Sequence, residues 1–410
     1  MIKNEEKMGF WTYIFLWFGA AISIAEILTG GLIAPLGFKM GLAVILTGHL
    51  IGTGIFALGG IIGAREKLPA IASTKISFGL YGTYLFSILN VLQLIGWTAV
   101  MIRSGANSIN LITQQLWQID NLFMSSIVIG IFIALWILFG NDGIQKINSI
   151  AVILLFLLTL VLGAVIFKDE TLFTKIGDGS LSLGGAMELN VVMALSWLPL
   201  IADYTRFAKS ERGAVWGSFL GYFLGSSWMY IIGFGAAIVS NNPDPSYMML
   251  AANLGIIALG IVLLSTVTTT FLDVYSAGIS FLNLANKLSE KNVGVVMAII
   301  GTVVAVAFPM EKYEHFLYAI GSVFAPLFAV VITDYFIVKK SEVSSNILIN
   351  WGAVLVWVVG IIIYYQFIKF DFILGATVPA MIITGLIYTI TWRWISNWKL
   401  VIKSQEHYKA

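Results

Sequence analysis

The sequence contains no cysteine, only three histidines and only 11% charged residues. Without cysteine there is no disulfide framework, no thiol nucleophile and no thiolate metal site. His49, His315 and His407 are too scattered to form a multi-histidine metal centre. No basic block is long enough to suggest nucleic acid, and a net charge of +2 adds nothing to that case. Low-complexity tracts are missing, and no polar stretch is long enough to encode a water-soluble enzyme domain or to point to an obligate protein partner.

What is abundant is apolar sequence. Of 410 residues 59% are hydrophobic, and the mean hydropathy is +0.93. Apolar runs of about 20 residues, the length that crosses a bilayer as a helix, recur from end to end. The fold class is therefore all-α, polytopic and membrane-embedded. The first run follows MIKNEEKMGF directly and extends about 25 residues, longer than a signal-peptide core, so it is read as a retained helix.

Twelve spans are predicted, near 10–35, 40–63, 80–102, 121–140, 146–167, 188–208, 214–240, 250–283, 293–309, 315–337, 348–369 and 373–396. An even number puts both ends on one side. With the ends inside, 17 of the 23 Lys and Arg fall in inner segments and 6 (Lys39, Arg103, Lys168, Lys175, Lys312 and Lys369) in outer ones. That bias predicts cytoplasmic termini in a plasma (inner) membrane. Of the two longer outer connections, 104–120 mixes Ile109, Leu111, Ile112 and Leu116 with polar residues and suits a short surface helix, whereas 167–185 links the fifth span to the sixth.

Residues 17–31, WFGAAISIAEILTGG, place a carboxylate in mid-membrane. An acid there costs roughly 2.5–3.5 kcal/mol on the lenient insertion scale, so Glu26 needs a partner, a proton or a water-filled cavity. Helical spacing puts Gly19, Ile22, Ser23 and Glu26 on one stripe, and small residues along it permit an unwound turn where the backbone lines a cavity. Glu26 as a protonated acid bonded to a neighbouring helix is the structural alternative. If the chain contains two inverted repeats, the sixth span should be interrupted like the first, and Pro199, just after Ser196 and Trp197, removes a backbone donor there.

Two further spans carry polar stripes. On the eighth, Ser265, Thr268, Thr269 and Asp273 share a face, a hard-oxygen set suited to an alkali cation, unless the threonines only bond back along their own helix. On the third, Asn90, Gln93 and Trp97 recur at helical spacing. An indole beside an amide suits a planar heteroaromatic, and ordinary packing is the other reading. His49 is read as a helix-to-helix hydrogen bond. Asp203 with Arg206, and Asp334 with Tyr335, end spans on the inner side and are read as structural salt-bridge groups before gate or topology charges.

Together, the small-residue stretch 19–31, QLIGW at 93–97, ADYTRF at 202–207, the hydroxyl run 265–269 and PLFAVVITDYF at 326–336 resemble the nucleobase:cation symporter-1 family over nearly the whole chain. Within it the similarity is greatest to cytosine permeases and to CytX-type hydroxymethylpyrimidine transporters of thiamin salvage. The resemblance implies a LeuT-type fold. Residues 1–340 would form a ten-helix core of two inverted repeats, about 10–167 and 188–340, and residues 341–410 would add two accessory helices and a tail. It also implies alternating access coupled to a cation, with sodium as the expected ion and no other cofactor.

Carried over by motif, the sodium site falls on backbone oxygens of Gly19, Ile22 and Ser265 and the hydroxyls of Thr268 and Thr269, and the stacking indole is Trp97 beside Gln93. Glu26 stands where other members have a small hydroxyl residue, and Thr270 where some have asparagine. The residues expected around an amino-substituted pyrimidine are Ser23, Glu26, Gln93, Trp97, Ser196, Trp197 and Asp273. A proton-coupled carrier using Glu26 or Asp273, and an amine or amino-acid carrier of the same fold, remain open.

Overall fold

The computed structural model describes residues 7–139, 142–252, 254–282, 284, 289–307, 312–340, 346–395 and 397–401, without the side chains of 142–146, 148, 251, 268, 269, 271, 272, 275, 279, 282 and 290. The elements run α1 (Phe10–Ala21), α2 (Ile24–Leu32), α3 (Phe38–Glu66), α4 (Ala70–Ser73), α5 (Lys75–Trp117), α6 (Leu122–Phe139), α7 (Asp142–Ile166) and α8 (Glu170–Thr174). Next come α9 (Leu183–Ser196), α10 (Leu198–Thr205), α11 (Glu211–Ser240), α12 (Pro245–Ala251), α13 (Gly255–Leu282), α14 (Glu290–Ala307) and α15 (Tyr313–Ile332), which ends in a π turn, Thr333–Ile337. A short strand β1 (Ile347–Asn350), α16 (Trp351–Phe370), α17 (Thr377–Ile395) and β2 (Lys399–Val401) complete the chain.

Among the described residues nine helices are long and apolar enough to cross a bilayer, and α1 with the segment after it makes a tenth span, bent by 61°. Two shorter apolar stretches, Gly255–Val267 of α13 and Lys291–Ala307 of α14, lie where the eighth and ninth of the twelve expected spans fall. The outer surface is apolar, with Phe15, Leu50, Leu92 and Leu224 each more than half exposed, as a lipid-facing surface requires.

Two glycine-bearing helices act as rails for the two polar spans. On α11, Gly217, Gly221 and Gly225 lie one above the other against α1: a methyl group at Gly221 would come 2.4 Å from the Ile14 carbonyl. One at Gly233 would come 1.9 Å from the carbonyl of Ile27 on α2. On α3, Gly52, Gly59 and Gly63 do the same for α9 and α10, where added methyls would meet Val191, Leu198 and Ala202. Lipid cannot drive such helices together by hydrophobic burial, so close backbone approach through small residues supplies the contact. The first and sixth spans are thus held in corresponding ways by the seventh and second.

Short backbone bridges tie the ends of these spans. Met8 accepts from Lys209 N (2.9 Å) and donates to Phe207 O (2.8 Å), joining the start of α1 to the end of α10. At the opposite face Phe38 N donates to Lys175 O (3.1 Å) and Asp178 N to Pro35 O (3.0 Å). The accessory part is docked at two points. Gly79 (φ 78°) kinks α5 where β1 crosses it, a positive φ and a close approach only glycine accommodates easily. Buried Glu188 of α9 accepts Ala376 N, Thr377 N and the Thr377 hydroxyl, each at 2.7 Å, and the Tyr364 hydroxyl at 2.6 Å, so its carboxylate caps α17.

Two expectations are corrected. No separate surface helix follows the third span, because α5 stays helical from the kink at Gly79 through Trp117, about 57 Å at 1.5 Å per residue. The sixth span is not interrupted like the first: only Trp197 separates α9 from α10, and 183–205 still counts as one span. Pro199 sits within the first two residues of α10, where a missing amide costs little.

Candidate substrate site

The first span breaks where its helix loses register. Ile22 (ψ 77°) and Ser23 (φ −138°, ψ 157°) leave helical space, and Ser23 N turns back to Ala21 O (2.8 Å) instead of reaching Gly19 one turn earlier. Helix α2 then restarts with Ser23 at its N-cap and Glu26 in its first turn, a Ser-x-x-Glu pattern that could close as a capping box. It does not close; the Ser23 side chain makes no cap bond. Glu26 turns instead to α11, where Oε1 accepts from the Tyr222 hydroxyl and Oε2 from the Ser226 hydroxyl, both at 2.8 Å.

Behind that break lies a narrow cavity of about 40 Å³. The first span contributes Ala20, Ser23, Ala25 and Glu26, and α5 contributes Gln93, Leu94, Trp97 and Met101. Met193, Ser196, Trp197 and Leu200 line it from the sixth span, and Asp273 from α13. All seven residues expected around a ring therefore meet at one cavity. Its charged lining is two carboxylates, with no Lys or Arg among the described residues.

The amide of Gln93 has a fixed orientation. Its Nε2 donates to the Ser196 carbonyl (3.0 Å), an oxygen released because Leu200 N bonds Trp197 O (3.0 Å) in place of the helical partner. Since a carbonyl only accepts, Gln93 Oε1 must be the other end of the amide, and it is buried without a partner among the described residues. The indoles stand on separate elements. Trp97 packs edge-on against Phe316 (5.4 Å) and Tyr313 (6.2 Å), and Trp197 edge-on against Trp17 (5.8 Å).

The expected cation ligands do not all gather here. Gly19 leaves the expected stripe: it faces Val152 of α7 and lines a groove on the other side of α1, because the break at 22–23 ends helical spacing before Glu26. Ile22 and Ser265 are fully buried but outside the cavity lining. The side chains of Thr268 and Thr269 lie outside the described residues. His49 does bridge helices, with Nδ1 on the Ile45 carbonyl (2.8 Å) and Nε2 on Ser226 Oγ (2.6 Å). Asp203 accepts Ala70 N (3.0 Å), and Asp334 accepts the Tyr388 hydroxyl (2.9 Å) and faces Lys340 Nζ (3.6 Å).

Residues that sequence reasoning did not single out complete the site. Tyr222 and Ser226 hold Glu26, yet on a glycine-rich helix they read as packing. Met101 and Met193 supply soft walls and carry no sequence signal beyond hydrophobicity.

Residues 2–392 match the family described as permeases for cytosine/purines, uracil, thiamine and allantoin. The cytosine permease of Escherichia coli (strain K12) is 26% identical over 379 residues, covering 88% of this chain and 86% of its own. The allantoin permease of Bacillus subtilis (strain 168) is 23% identical over 375 residues, covering 81% and 76%. Among solved structures, Mhp1 in its inward-facing conformation superposes with a TM-score of 0.84 at 18% identity, over 97% of this chain and 92% of Mhp1. Mhp1 in a closed conformation with bromovinylhydantoin bound gives 0.80 at 17% identity, over 98% and 95%. The fold is thus the LeuT-type arrangement, and the relatives are permeases, so the protein is a transporter and not an enzyme. With its family match spanning almost its full length, the chain belongs to the nucleobase:cation symporter-1 family of multi-pass membrane transporters.

Proposed function

We propose that this protein imports an amino-substituted pyrimidine, a nucleobase or a thiamin-precursor pyrimidine, together with a cation by alternating access. The observation that carries the reading is the surplus of acceptors in the cavity. Gln93 Oε1 is buried and has no partner among the described residues, and the carboxyl groups of Glu26 and Asp273 share the same walls. A buried acceptor without a donor costs about 1–3 kcal/mol, so a ligand bearing N–H groups recovers that free energy. An exocyclic amine on a flat ring does so while the ring packs against Trp97 or Trp197.

Sodium is the proposed coupling ion. The backbone oxygens freed at the break of the first span and Ser265 on α13, with the hydroxyls of Thr268 and Thr269, are hard-oxygen ligands suited to it. One positive charge moving down 100 mV is worth about 2.3 kcal/mol, roughly a 50-fold accumulation before any sodium gradient is added. Residues 1–340 act as the transport core and 341–410 as the accessory part, with both termini on the cytoplasmic side of the plasma membrane.

The test is uptake into proteoliposomes of labelled cytosine and of 4-amino-5-hydroxymethyl-2-methylpyrimidine, with and without a sodium gradient. Sodium-driven accumulation of either, not displaced by amino acids, supports the reading. Displacement by amino acids but not by pyrimidines overturns the substrate class. Uptake steep in pH and indifferent to sodium overturns sodium as the coupling ion.

A further inference from the structure

Hydrogen-bond directions around Glu26 fix how many protons the site can hold. His49 Nδ1 faces the carbonyl of Ile45 at 2.8 Å, and since that oxygen only accepts, Nδ1 carries a proton. His49 Nε2 and Glu26 Oε2 both contact the one hydroxyl of Ser226, at 2.6 and 2.8 Å. Ser226 has a single proton to donate. If it donates to a carboxylate at Glu26, Nε2 must donate to Ser226, and His49 is an imidazolium. If it donates to Nε2, Glu26 must be a carboxylic acid donating to Ser226. With no proton beyond these, two lone pairs face each other; with one more, two donors do. Ser226 and His49 are fully buried and Glu26 is 1% exposed, so water cannot easily repair either mismatch.

The geometry points to Glu26, Ser226 and His49 as a one-proton relay opening onto the cavity at Glu26, whose two states expose either a neutral acid or a carboxylate to the ligand. In the transfer the Oε2–H bond of Glu26 breaks and Ser226 Oγ takes that proton. The former Ser226 proton passes to His49 Nε2, and Nδ1–H stays on Ile45. Net charge within the triad is zero before and after. The inference rests on the cavity being the substrate site: an amine-bearing or cationic ring selects the carboxylate state, and an empty site is not left with an uncompensated buried charge. The relay thereby links what occupies the cavity to the charge on α3.

The other titratable groups facing the triad do not supply the missing proton acceptor or donor. Tyr222 donates to Oε1 and also lies against Ser226, Tyr230 packs edge-on to His49 at 4.4 Å, Tyr313 pairs with Thr29 at 2.9 Å, and Asp273 lines the same cavity as Glu26. From α9, Asn190 meets the imidazole; its amide nitrogen is committed to the Ala186 carbonyl (2.7 Å), so Oδ1, which can only accept, is the end turned to His49.

The test uses purified full-length protein without ligand. Infrared titration follows the protonated-carboxyl band that Glu26→Gln removes, and nitrogen NMR of labelled histidine follows the signal that His49→Gln removes. In the wild type the two signals together should account for one proton over a broad middle range of pH, with Nδ1 protonated throughout. Ser226→Ala should split that plateau into two independent titrations, and Ser226→Thr, which keeps the hydroxyl, should restore it. Independent titration in the wild type, or a plateau unchanged in Ser226→Ala, overturns the relay. Because no transported molecule enters this measurement, its result stands apart from the uptake assay: absent pyrimidine uptake with an intact plateau removes the substrate reading alone.

Discussion

The first and sixth spans each contain a buried glutamate, and the two are handled in opposite ways. Glu188 receives four donors, two of them backbone amides that cannot turn round, and its carboxylate is locked as the cap of α17. Glu26 receives two hydroxyls, one of which can reverse its direction toward His49, and it borders the cavity. Fixed donors make a carboxylate part of the scaffold; reversible ones leave it free to change protonation with its surroundings. The backbone follows the same division. The first span bends by 61° beside Glu26, whereas the sixth only falters at Trp197, well away from Glu188.

Breaking the scaffold that holds the first span should have the largest effect. Gly233→Val places side-chain atoms into the Ile27 backbone on α2, where even a methyl group would be 1.9 Å from the carbonyl oxygen. Such overpacking typically costs about 1–3 kcal/mol and occasionally more. The expected outcome is loss of monodisperse protein on size exclusion, while Gly54→Val, at a glycine of α3 with open space beside it, should leave the elution profile unchanged.

Next in size, Glu188→Gln should lower thermal stability. The amide oxygen can keep the two backbone amides, but both hydroxyls on the other side must turn round to accept from the new nitrogen, and hydrogen bonds to charge, worth about 1.5–3 kcal/mol each, become neutral ones. Glu26→Gln should show the reverse pattern. Its melting temperature should stay close to wild type, because hydroxyls can donate to or accept from an amide, while pyrimidine uptake should fall at least about tenfold, equivalent to 1.4 kcal/mol. Equal loss of stability in the two variants would erase the distinction between them.

Smaller effects sharpen the comparison. Trp97→Ala should raise the KM for uptake by about tenfold, with Trp97→Phe intermediate, since stacking of a base on an aromatic ring is worth about 1–3 kcal/mol. Pro199→Ala should change uptake least, by less than about threefold. It restores one amide donor at the start of α10 and leaves the Gln93 bond to the Ser196 carbonyl in place.

How much of this was legible in the sequence depended on whether a residue's meaning was local. A carboxylate, an amide and an indole at bilayer depth are costly wherever they point, so Glu26, Gln93, Trp97 and Asp273 could be singled out and do meet at one cavity. Gly19 could not be placed, because its position followed from helical spacing across a break that the sequence located only roughly. Pro199 suggested a deeper interruption than exists, since the cost of a proline depends on whether it lies within a helix or at its start. Glu188 escaped notice because it falls on the first residue of the predicted sixth span, 188–208, where a carboxylate is ordinary, and Ser226 because its partner Glu26 is 200 residues away in the chain. Nothing nearby in sequence announces such a pairing.

The bridges at Met8 and at Phe38 have a consequence for how easily the ends of these spans can part. At one membrane face the start of α1 is buttoned to the end of α10 by two backbone hydrogen bonds, and at the other the segment after α2 is buttoned to the loop following α8 by two more. Each pair lies near a span end where water can replace what is undone, so unfastening costs little more than the net worth of ordinary hydrogen bonds, about 0.5–1.5 kcal/mol apiece. Undoing either clasp is therefore a small step beside the stability of the fold, and it can happen without unwinding the helices on either side of it.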